Sequence, residues 1–167
     1  MFHPASNTMA SIHKYQSEET PMQINPDINT SAYTVKSYDI GEVTVFEPIS
    51  AENIQTANET GKPPIVDTLK LTRSSIIMTN KLVDDWAPQN PHLLKLEDFQ
   101  RILDLRPEVV ILGTGKNIHF PESKDMLLLQ QEGIGIEVMG TAAACRTYNF
   151  LVSDGRKVAC ALFMIEE

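Results

Sequence analysis

Much of what would announce a specialised class is scarce in this chain. Two cysteines, Cys145 and Cys160, are too few for a Cys-only zinc site and are not spaced as a CxxC redox pair, so a reducing compartment is the simplest reading. No apolar run approaches the ~20 residues of a membrane-spanning helix. The opening MFHPASNTMASIHKYQSEETP has neither the apolar stretch of a secretion signal nor the arginines of a mitochondrial transit peptide, which makes the cytoplasm the expected location. Met22 is a second candidate start.

Positive charge is also sparse. Lys and Arg number 14 against 22 Asp and Glu, for a formal net charge of −8. Eight acids face two bases in residues 1–60, and fourteen face twelve in residues 61–167, so the excess acidity sits in the N-terminal third. With no Lys/Arg cluster there is no electrostatic footprint for the phosphates of a nucleic acid or for an anionic membrane surface, and neither is expected as a partner.

The remaining composition, 42% hydrophobic and 22% charged over 167 residues, is that of an ordinary globular chain able to bury a core without disulfides or metals. Residues 1–31 are polar, rich in Ser, Thr, Asn and Pro and without periodicity, and are expected to form a flexible tail. Residues 32–167 then form a single α/β domain, with 48–64 (PISAENIQTANETGKPP) as a polar loop insertion.

Within the domain the apolar period changes along the chain. Tyr33, Val35 and Ser37, then Val43 and Val45, recur at period two around Asp39-Ile40-Gly41, which predicts a hairpin. Leu69–Thr79 reads as one strand with Ile76, Ile77 and Met78 buried. From Leu93 the spacing becomes helical, with Leu93, Leu96, Phe99 and Leu103 on one face and Pro107 forcing an end. Glu108–Gly113 is an unbroken apolar run, the mark of a strand covered on both faces in a parallel sheet. Pro121 suits a first helical position, Gly133 a C-terminal cap, and Gly135–Met139 a second strand, giving a βαβ unit with a right-handed crossover. Thr141 as N-cap then opens a helix over 142–152, Ser153-Asp154-Gly155 turns, and Lys157–Ile165 returns as a strand apolar on both faces, hence central.

Ligands of open α/β sheets bind beyond the carboxyl ends of the strands, where Gly113-Thr114-Gly115-Lys116 stands here. Free backbone amides beside a lysine can cradle an anion. The alternative is two glycines making a tight turn, since neither the dinucleotide nor the P-loop spacing is present. Arg146 falls in the first turns of a helix, where the macrodipole disfavours a cation. It calls for a negative partner, either an internal ion pair, with Glu137 as one candidate, or a bound anion or acidic partner segment. Arg146 shares a face with Asn149 and Ser153. Cys145, beside Arg146 and near a helix N-terminus, is either a thiol of lowered pKa or a small buried hydrophobe. Of the four histidines only His119 falls in a loop near the sheet edge. No metal-ligand spacing is present, and no cofactor is expected.

The segments VVILGTG, Phe120-Pro121, GIGIEVM, TAAACRTYNFL and GRKVACALFMI together resemble a small α/β domain family. It includes mitochondrial complex I assembly factor three, the adipogenesis-associated domain protein of animals and many uncharacterised bacterial proteins. The resemblance covers about Tyr33–Ile165. It implies a three-layer fold around a mixed, mostly parallel five-stranded sheet, and action through protein partners rather than an established reaction. It also implies a cleft outlined by Gly113, Gly115, Glu137, Thr141, Cys145, Arg146, Thr147, Tyr148 and Asn149. Gly140 departs from the acidic or polar residue common there in relatives, and the 48–64 segment is longer than usual. The expectation is therefore a non-catalytic binding or assembly-type protein linked to respiratory complex I assembly. Its competitor is a small-molecule or anion-binding enzyme centred on Gly113–Lys116, Cys145 and Arg146.

Overall fold

A computed structural model describes residues 31–166, so all but the last residue of the expected 1–31 tail lies outside the described residues. Strands β1 (Thr34–Asp39) and β2 (Glu42–Phe46) form the expected antiparallel hairpin, turned at Gly41 with a φ of 74°. The next segment differs from expectation. The stretch 48–64 contains helix α1 (Ala51–Thr60), started by the Ser50 hydroxyl accepting from Asn53 N–H at 3.2 Å and stopped by a left-handed Gly61. None of its residues is buried, which is why the polar sequence carried no helical apolar stripe.

The single strand expected over Leu69–Thr79 is two, β3 (Thr68–Leu71) and β4 (Ser75–Met78), and they belong to different sheets. β3 completes a three-stranded sheet ordered β1-β2-β3, while β4 pairs with β5 (Lys81–Val83) in the five-stranded sheet. A single 3₁₀ turn (Pro91–Leu93) precedes α2 (Leu96–Leu103). Phe99 and Ile102 are the buried residues of α2, whereas Leu93 and Leu96, placed on one face with Phe99 by their spacing, are exposed.

The βαβ unit follows as β6 (Val109–Thr114), α3 (Ser123–Gln131) and β7 (Gly135–Met139), and then α4 (Thr141–Ser153) and β8 (Val158–Phe163). Pro121 lies outside α3, whose N-cap is Glu122. Gly133, at a φ of 70°, ends α3 with Ile134 N–H donating to the Leu129 carbonyl at 2.9 Å and its own N–H to Gln130 at 3.0 Å. Gly140, not Thr141, is the N-cap of α4, which frees the Thr141 side chain for another task.

The large sheet runs β5-β4-β8-β6-β7, with β7, β6 and β8 parallel and β4 and β5 antiparallel. All six residues of β8 are buried and the strand is the middle one, as its two apolar faces predict. One face sends Val158, Cys160 and Leu162 into a core shared with α4 (Ala144, Cys145, Tyr148, Val152) and the small sheet (Val35, Val43, Val45, Leu71). The other sends Ala159, Ala161 and Phe163 against Trp86, Phe99, Ile102 and Leu129, beneath α2 and α3. The result is the expected three-layer α/β fold around a mixed five-stranded sheet.

Candidate functional site

The ends of β6 and β8 meet the start of α4 at a closely packed junction. A β-carbon on Gly113 would stand 2.7 Å from Leu162 Cδ2 and 2.9 Å from Ala144 Cβ, so only glycine lets α4 lie this near the sheet. Two residues on, Gly115 turns the chain away at a φ of 89°, a conformation that glycine adopts without steric cost. Thr141, fully buried, locks the junction. Its hydroxyl accepts from Gly115 N–H at 2.9 Å and donates to the Phe163 carbonyl at 2.6 Å, and its N–H donates to the Gly115 carbonyl at 2.8 Å.

The loop beyond is closed by Thr114. The Thr114 hydroxyl donates to the Asn117 carbonyl at 2.8 Å and accepts from His119 N–H at 3.1 Å. This closure carries the His119 ring to that of His92 in the 3₁₀ turn, with centroids 4.1 Å apart and planes at 59°. Between the two segments lies a cleft of about 290 Å³. Its charged and imidazole side chains are Lys116, His92, His119 and Glu166, with Gln89, Asn90 and Asn117 among its amide-bearing residues.

The residues singled out from sequence fall into two groups. Gly113, Thr114, Gly115 and Lys116 come together with Thr141 at and beneath this cleft. Glu137, Cys145, Arg146 and Asn149 do not line it. Glu137 is exposed on β7 and forms no ion pair with Arg146. The Arg146 guanidinium instead donates to the Tyr38 hydroxyl and stands 5.9 Å from the centroid of that ring. An exposed arginine met by an aromatic hydroxyl and π-face needs no buried countercharge. Asn149 is a structural clamp. The β1–β2 register shifts between Val35 and Ser37, and Asn149 satisfies both backbone groups of Val35 there, accepting from its N–H at 2.8 Å and donating to its carbonyl at 2.7 Å. Tyr148 does similar work, its hydroxyl donating to the Tyr33 carbonyl at 2.9 Å.

Cys145 is a buried hydrophobe. Burial pushes its thiol up to about 12, and the neighbouring Arg146 charge offsets only part of that shift. Burial raises Cys160 as well, and both cysteines are free. Among the described residues no three His, Cys, Asp or Glu side chains gather as a metal site, and no helix is long and apolar enough to cross a membrane. The residue that sequence reasoning missed is His92. Its only signal was His119, because the contact joins two segments 27 positions apart and leaves no local pattern.

Fold and cleft together define a small α/β protein with a polar pocket at the carboxyl ends of its parallel strands. The chain belongs to the family described as proteins of unknown function DUF498/DUF598, whose model matches residues 58–163. A protein of Xenopus tropicalis named NADH dehydrogenase (ubiquinone) 1 alpha subcomplex assembly factor 3 is 39% identical over 127 residues, covering 75% of this chain and 69% of that protein. Its Homo sapiens namesake is 39% identical over 61 residues, so the matched segment spans only 33% of the human protein. A crystal structure from Bordetella parapertussis superposes with a TM-score of 0.64 at 28% identity, covering 81% of this chain and 98% of that one.

Proposed function

We propose that this chain is a non-catalytic assembly-type protein that works by docking a protein partner on its α/β body, in connection with assembly of respiratory complex I. The observation that carries the reading is the 39% identity over 127 residues to a protein named as an assembly factor of NADH dehydrogenase. The surface is consistent with docking. Leu93, Ile118 and Phe120, exposed by 65%, 55% and 73%, flank the touching histidines in the chain, and neighbouring apolar side chains of this size favour a covering surface. The partner is a protein rather than a nucleic acid, in keeping with the net charge of −8. The proposed compartment is the cytoplasm, where two unpaired cysteines stay reduced.

The test is affinity capture from native cells with the wild-type chain and with Phe120→Ser, a change at an exposed site. Wild type is expected to return subunits of NADH dehydrogenase repeatedly, and the variant to return fewer with an unchanged thermal unfolding curve. Repeated capture of no such subunit, together with turnover of a metabolite by the purified chain, sinks the proposal.

A further inference from the structure

The loop after β6 carries hydrogen-bonding capacity that the protein does not use. Gly115 N–H goes to Thr141 and His119 N–H to Thr114, but the backbone amides of Lys116 and Asn117 between them find no acceptor among the described residues. The same holds for the Lys116 ammonium, the Asn117 side-chain amide and the ring nitrogens of His92 and His119, whose rings touch with centroids 4.1 Å apart. All four residues line the one cleft. Unused donors gathered on one concavity form an acceptor-binding surface, and consecutive free amides beside a cation are how loops hold oxyanions. The location fits too, because the cleft opens at the carboxyl ends of the adjacent parallel strands β6 and β8, where α/β sheets take their ligands.

We propose that this cleft binds a small ligand bearing a multiply charged oxyanion, a phosphate monoester or a polycarboxylate, held by Lys116, the amides of Lys116 and Asn117, and the imidazoles of His92 and His119. A volume of about 290 Å³ stands at the low edge of the range for small-molecule pockets, which limits the ligand to metabolite size. The titratable groups facing the cleft are Lys116 and His119 from the loop, His92 from the 3₁₀ turn, and Glu166 from the segment after β8. The two imidazole rings stand with centroids 4.1 Å apart, so that one anion reaches both. The inference is independent of the docking role, since it needs no protein partner.

The experiment is an NMR titration of the full chain with inorganic phosphate and, separately, with citrate, at about pH 8, where phosphate is chiefly the dianion. Saturable shifts are expected at the Lys116, Asn117 and His119 amides. Affinity is expected to be at least about tenfold weaker in Lys116→Met than in wild type. The double variant His92→Ala/His119→Ala is expected to bind more weakly than wild type. Arg146→Met, whose site lies off the cleft, is expected to bind like wild type, and the remaining amide spectrum reports whether each variant is folded. Saturation by phosphate alone selects the monoester, and by citrate alone the polycarboxylate. Linear, unsaturating shifts with both anions, or binding indifferent to Lys116→Met and the histidine pair, overturn the proposal.

Discussion

Thr141 and Gly115 hold each other reciprocally, the threonine hydroxyl accepting from Gly115 N–H at 2.9 Å and the Gly115 carbonyl accepting from Thr141 N–H at 2.8 Å. The same hydroxyl donates to Phe163, so one buried side chain ties the cleft loop, the head of α4 and the end of the central strand. Thr141→Val keeps the shape and removes both side-chain bonds, leaving a buried donor and a buried acceptor unmet. The expected loss is about 2–5 kcal/mol by urea unfolding, with Thr141→Ser recovering most of it. A valine variant as stable as wild type contradicts this account.

Gly113 tests the packing of the same junction. Gly113→Ala drives a methyl to 2.7 Å from Leu162 Cδ2 and 2.9 Å from Ala144 Cβ, in a core with no slack to absorb it. A loss of about 1–3 kcal/mol is expected, the range for overpacking. Adding Leu162→Val is expected to recover part of it, and the double-variant cycle measures the coupling.

Asn149 and Arg146, one turn apart on α4, are expected to behave oppositely. Asn149→Ala strips both partners from the backbone of buried Val35 at the β1 irregularity, for about 2–4 kcal/mol by chemical denaturation. Arg146→Met changes an exposed side chain whose partner, Tyr38, keeps access to water, and is expected to stay within about 0.5 kcal/mol of wild type. An arginine variant as damaged as the asparagine variant would restore the idea of a structural ion pair.

The contrast shows what local pattern carries. β8 was legible as the middle strand because both of its faces are apolar, and β6-α3-β7 because the period changes between strand and helix with Gly133 marking the stop. α1 was not legible, since it buries nothing and so has no stripe. The break between β3 and β4 was hidden because LKLT and SIIM are each good strands, and what parts them is tertiary, with buried Ser74 bringing its hydroxyl to the Trp86 and Pro88 carbonyls. For the site, the Gly113–Lys116 loop followed from the rule about strand ends, while the roles of Arg146 and Asn149 depend on β1, more than 100 residues away, and on no spacing within α4.

The buried thiols make alkaline pH a probe of the core. Cys145 titrates at an ordinary 9.0 when exposed and is pushed up to about 12 in the folded chain by burial. Between those values the unfolded chain has released the thiol proton and the folded chain has kept it. Unfolding therefore releases a proton, and stability present below pH 9.0 is lost as pH rises toward about 12. Cys160 and Tyr148 are raised by the same burial and act in the same direction. Urea unfolding under reducing conditions is expected to show stability falling above about pH 9, with Cys145→Ala flattening the fall by up to about 1.4 kcal/mol per pH unit, the worth of one proton. Native Cys145 is also expected to resist alkylation at about pH 8 until denaturant is added, since the thiolate and not the thiol attacks. Rapid native labelling at Cys145, or a slope unchanged by its removal, would return the residue to the list of candidate nucleophiles.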